Sequence, residues 1–114
     1  MQFPKPLLLT LTLASVPAQG YVITIFDGKD CAGASKRVNV YDNTCRDGDV
    51  LDTASLRVET YGARLQKADV YPSHSCGTVR IASWAADGGS GGPFRQGDCL
   101  NLEKTARAFG SRSG

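Results

Sequence analysis

The chain has 114 residues, 13 basic and 11 acidic side chains, one histidine and a formal charge of +2. That length holds one domain, and so even a charge balance excludes a strongly basic nucleic-acid binder and gives anionic lipid little to attract. No apolar run approaches the roughly 20 residues that a membrane-spanning helix needs.

Residues 1–18 read as a signal peptide. Lys5 supplies the positive start, Leu7 to Val16 the short apolar run, and Val16-Pro17-Ala18 the approach to a cut expected between Ala18 and Gln19. Residues 19–110 are then expected to form one secreted domain, with 111–114 as a disordered tail. A domain of that size buries only about 60–65% of its unfolded surface, so covalent support is expected. Cys31, Cys45, Cys76 and Cys99 provide it: an even count in an oxidising compartment points to two disulfides. No pair is spaced closely enough for a zinc site. Of the three connectivities, Cys31–Cys45 with Cys76–Cys99 is expected, because each bond then closes one local unit and stabilises by roughly 3 kcal/mol.

Tyr21-Val22-Ile23-Thr24-Ile25-Phe26 is rich in β-branched side chains and predicts a strand. Asp27-Gly28 then signals a hairpin turn, with φ > 0 expected at Gly28. Ser35 to Tyr41 predicts a second strand, with Lys36, Val38 and Val40 on one face. Tyr41 to Asp49 reads as a polar loop tied down by Cys45. Ala54 to Thr60 alternates cleanly, with Leu56 and Val58 inward, and predicts a third strand. Ala63 to Tyr71 contains good helix formers, but Gly62 before it and Pro72 after it leave a helix short. A fourth strand is expected there, using Leu65, Ala68 and Val70 as apolar partners.

Cys76 to Trp84 predicts another strand, with Val79, Ile81 and Ser83 on one face. The glycines between Asp87 and Pro93 mark a surface loop; no Gly-Lys-Ser/Thr follows them, so a phosphate cradle is excluded. Cys99 to Leu102 and Thr105 to Phe109 close the chain as short strands. The sum is an all-β fold, a small Greek-key β-sandwich or partly closed barrel with two disulfides.

Tyr21-x-x-x-x-Phe26-x-Gly28, Cys31-Ala32-Gly33 and Ser55-Leu56-Arg57-Val58 together resemble the Greek-key signature of βγ-crystallin-like domains. The likeness covers residues 21–60. The second half has no equal aromatic run, and Ala106-Arg107-Ala108-Phe109 is a faint echo of the strand signature. The mature chain is also similar to small secreted four-cysteine fungal proteins, which implies an extracellular protein facing a host or competitor. Many βγ-crystallin-like domains bind calcium through an Asn/Asp-Asn/Asp-x-x-Ser/Thr-Ser loop. Here the window is Val50-Leu51-Asp52-Thr53-Ala54-Ser55, which lacks the leading pair and has Ala54 for the hydroxyl. Weak calcium binding would fall to Asp47, Asp49 and Asp52.

For catalysis, a ribonuclease-like enzyme would need His74 in a cleft beside Glu59 and Arg57. His74 lies in Pro72-Ser73-His74-Ser75-Cys76, where an exposed loop histidine is expected, and no Gly-x-Ser-x-Gly elbow is present. We therefore expect no catalytic residue, no metal and no cofactor. The reading is a secreted, non-enzymatic monomer that presents loops to an extracellular protein or glycan, without nucleic acid or a membrane span. An antimicrobial or killer-toxin-like protein is the alternative. Tyr41 to Asp49 and Asp87 to Arg95 are the expected contact loops, and Trp84, Phe94 and Tyr41 the expected anchors.

Overall fold

The computed structural model describes residues 20–89 and 91–113, so the expected signal peptide lies outside the described residues. Eight strands are present among them: β1 Tyr21–Phe26, β2 Ser35–Val40, β3 Thr44–Arg46, β4 Thr53–Thr60, β5 Gln66–Tyr71, β6 Ala82–Ala85, β7 Cys99–Ala106 and β8 Ala108–Ser113. They form two antiparallel sheets, ordered β2-β1-β4-β7 and β3-β8-β5-β6. The all-β sandwich with two disulfides is therefore what the chain adopts.

Strand alternation builds the core. Tyr21, Ile23 and Ile25 of β1 point inward with Val38, Val40, Leu56 and Val58, and meet Ala68, Val70 and Phe109 from the second sheet. Each such side chain contributes about 1.5–3 kcal/mol by leaving water. Tyr21 crosses the interior, and its hydroxyl donates to the Gly110 carbonyl at 2.9 Å.

The halves β1–β4 and β5–β8 repeat one another. Phe26 lies opposite Ser55 across β1 and β4, as Tyr71 lies opposite Ala108 across β5 and β8. Each half keeps three strands in its own sheet and sends the third, β3 or β7, into the other. That exchange decides the disulfides, which are Cys31–Cys99 and Cys45–Cys76. The expected local pairing is wrong, because β3 carries Cys45 to β8 and β7 carries Cys99 to β4. Each bond staples the hairpin of one half to the exchanged strand of the other. Closing separations of 68 and 31 residues, each stabilises by about 4 kcal/mol in the chain-entropy model.

Other expectations change for local reasons. The positive φ lies at Asp30 (59°), Cys31 (54°) and Gly33 (91°), while Gly28 is extended at −112°. The chain turns over the sheet before it reverses, and a Cβ on Gly33 would fall 2.2 Å from Asp27 Oδ1. Ser55 fixes this folded hairpin: its hydroxyl accepts the Cys31 N–H at 2.8 Å and donates to the Gly28 carbonyl at 2.5 Å. Thr44–Arg46, expected within a loop, is a strand because β8 supplies its partner. Leu65 is 64% exposed and precedes β5 with φ 67°. Of the expected 76–84 strand only residues 82–84 are extended, within β6 Ala82–Ala85, and Val79 is 63% exposed. Ser111 to Ser113, expected in a disordered tail, end β8, where they pair with β5.

Ser55→Ala leaves the Cys31 N–H and the Gly28 carbonyl without their buried partner. We expect a loss of about 2 kcal/mol, read as a lowered Tm, with both disulfides still formed on peptide mapping.

Candidate functional site

The residues expected to act are scattered. His74 is exposed in the loop between β5 and β6 and makes no hydrogen bond or ion pair among the described residues. Glu59 is committed elsewhere: it accepts from the Thr24 hydroxyl at 2.7 Å and from Arg57 Nε at 2.8 Å, and those bonds hold its carboxyl below the usual range. Arg57 also lies over the Phe26 ring, 5.4 Å from its centroid. Asp49 pairs with Lys36 and Asp52 with Arg107, while Asp47 is exposed. No group of three His, Cys, Asp or Glu side chains that could hold a metal occurs among the described residues.

The expected anchors separate as well. Tyr41 is 51% exposed, but Phe94 is 2% exposed and belongs to the core, 5.5 Å from the Tyr21 ring. Phe94 is therefore no surface anchor. Trp84 is half-buried and packs on Phe94 at 5.9 Å.

Sequence reasoning missed Asp69. It points to the outer side of the second sheet, yet its side chain is only 1% exposed. Arg112 Nε donates to it at 2.7 Å, the Ser83 hydroxyl at 2.6 Å and the Tyr71 hydroxyl at 3.4 Å, and Arg80 lies at 3.9 Å. Burial pushes the carboxyl up, but the bonds from Arg112 and Ser83 and the charges of Arg112 and Arg80 outweigh it and hold it below the usual range. Its oxygens are occupied, so it has no lone pair poised for general-base work. Beside it, Gly110 makes room for the stapled hairpin: a Cβ there would lie 3.2 Å from the Tyr71 ring and 3.3 Å from Cys76 Sγ.

What remains is an asymmetry between the two ends of the sandwich, for which the repeat supplies an internal comparison. At the β2/β3 end, Asp49 takes Lys36 Nζ at 3.0 Å and Arg46 Nη2 at 3.8 Å, and Arg46 Nη1 donates to the Asn39 carbonyl at 3.2 Å. Val50 and Leu51 pack against the core nearby. That end is shut. At the β6/β7 end, Ala82 stands where Lys36 does, because Val70 faces Ala82 as Ile25 faces Lys36. Leu100 faces Leu56 as Arg46 faces Phe109, and Glu103 follows Cys99 by four residues as Asp49 follows Cys45.

Both sealing cations are thus absent, and a groove of about 280 Å³ opens between β6 and β7. Ile81, Trp84, Pro93, Leu100 and Leu102 line it, with Glu103 on its rim. β7 is irregular here on its β4 side. Thr53 pairs with Ala106 and Ser55 with Asn101, so Leu102 to Thr105 oppose the single residue Ala54. The Leu102 carbonyl accepts Lys29 Nζ, which holds the bulge in place. Bulges of this kind concentrate beside functional sites, where they re-aim side chains.

No family model matches the chain, and no match was found among curated proteins or solved structures.

Two outcomes are expected here. His74→Ala changes stability by less than about 0.5 kcal/mol, measured by urea unfolding. Because the folded Asp69 carboxyl is lowered, its stabilisation is present above the ordinary value near 3.9 and is lost as pH falls through the folded one. Asp69→Asn therefore costs about 2 kcal/mol at neutral pH, and its deficit shrinks in acid, read from unfolding curves at several pH values.

Proposed function

We propose that this protein is an exported, non-enzymatic interaction protein that binds its target at the open β6/β7 end of the sandwich. The observation that carries the reading is that one end of a repeated structure is covered by a surface ion-paired cluster while the equivalent end holds an apolar groove beside a half-buried tryptophan. A fold that needed only stability would shut both ends. Export is supported by the N-terminal sequence and by two disulfides, which are typical of oxidising compartments. No helix among the described residues is long and apolar enough to cross a membrane.

The exchange of third strands and the Ser55-tethered hairpin support a βγ-crystallin-like Greek-key reading of the sandwich. On that reading the protein is a rigid extracellular scaffold of the effector type, whose contact surface is one edge of the sheets. The open edge takes over from the two loops as the main contact surface, with Trp84 as its anchor. Pockets of roughly 300 Å³ accept one large apolar group.

Trp84 is the chain's one tryptophan, so it reports occupancy directly. N-phenyl-1-naphthylamine, a neutral apolar probe, is expected to bind the native protein and quench Trp84 emission. Leu100→Ser is expected to weaken that binding about tenfold, the loss of one well-packed aliphatic contact. Failure of the probe to bind, or binding that ignores Leu100→Ser, overturns the reading.

A further inference from the structure

We infer that the occupant of the β6/β7 groove is an extended peptide segment presenting a lysine or arginine next to a large aliphatic side chain. This rests on the reading of that groove as the binding site.

The inference comes from the same comparison of ends. Asp49 is met by two cations, Lys36 and Arg46. Glu103, which lines the groove, is exposed and has no hydrogen bond or ion pair among the described residues, while the places of Lys36 and Arg46 hold Ala82 and Leu100. Lys104 does not line the groove, and Arg80, next to Ile81, is directed at Asp69 at 3.9 Å. The groove therefore has an apolar floor and a single carboxylate at its rim. A cation beside an aliphatic group restores both features of the sealed end, with the charge supplied from outside.

The walls indicate the form of the ligand. β6 and β7 are edge strands of their sheets, and an edge strand offers a row of backbone N–H and C=O groups to an added chain. An extended segment can pair with such an edge while alternate side chains enter the pocket. A small organic cation would use the floor and the carboxylate but leave the edges idle.

Three blocked pentapeptides without tryptophan serve as probes: Thr-Leu-Lys-Val-Thr and its counterparts with glutamine or glutamate in place of lysine. Each is titrated against the full protein while Trp84 emission is followed. The lysine peptide is expected to bind about tenfold tighter than the glutamine peptide, and the glutamate peptide weakest. Added salt should narrow the difference. Glu103→Gln, an exposed and conservative change, is expected to bring the lysine peptide down to the glutamine peptide while leaving the latter unchanged. Ala82→Lys with Leu100→Arg rebuilds the sealing cations and is expected to abolish binding of all three.

Equal binding of the lysine and glutamine peptides, or a lysine preference that survives Glu103→Gln, overturns the inference. If no peptide binds while N-phenyl-1-naphthylamine still quenches Trp84 in a Leu100-dependent way, the inference falls and the groove stands. If neither binds, both fall. Should the double variant fail to fold, the ratio of the first two peptides on Glu103→Gln decides alone.

Discussion

The exchange of one strand between two otherwise similar halves is the constraint on which the rest of the molecule depends. Because β3 and β7 each join the sheet built by the other half, neither half can bury its inner face alone. The two disulfides follow from the same exchange. Each fixes a hairpin of one half to the visiting strand of the other within one sheet, and so resists separation of the two halves of the chain. Links between positions distant in sequence restrict the unfolded chain more than links within a local loop.

Repetition also makes differences between the halves informative. On the outer faces, the Thr24–Glu59 bond of one half is matched by the Asp69–Arg112 bond of the other. Where the first half places Arg57 over Phe26, the second places Gly110 under the Cys45–Cys76 bond, close to Tyr71. These are alternative ways of covering a hairpin, and the second leaves a polar hollow of about 270 Å³ between Asp69, Tyr71, Cys76 and Gly110. The sandwich ends differ in kind, since one exchanges charge for packing and gains a groove. That groove offers apolar contact, one carboxylate and two sheet edges.

The polar groups that a catalytic reading would have used are consumed in holding the fold. Glu59 and Asp69 each accept from side chains of their own and adjacent strands. His74, the one imidazole, lies in solvent on the hairpin that Cys76 pins down. Titratable groups with perturbed protonation thus mark structural joints in this protein, and the groove is marked by an exposed acid, Glu103, with no partner among the described residues.

Residue order alone determined that the chain is all-β, that it carries two disulfides, and that Val38, Val40, Leu56, Val58, Ala68 and Val70 point inward, because strand alternation and cysteine parity are local properties. It also located the Ser55 signature and placed Trp84 near a core edge. Tertiary structure decided what depends on distant pairing: the connectivity of the cysteines, the strand at Thr44–Arg46, the burial of Phe94, the order of Ser111 to Ser113 and the environment of Asp69. The repeat itself was hidden, since Gln66 stands where Tyr21 does and Ser73 where Gly28 does; the equal spacing of Phe26 to Cys31 and Tyr71 to Cys76 was the surviving trace. The groove could not be read in advance for a related reason. Its defining feature is that Ala82 and Leu100 occupy the places of Lys36 and Arg46, and that correspondence exists only once two sheets have set the registers that superimpose one half on the other.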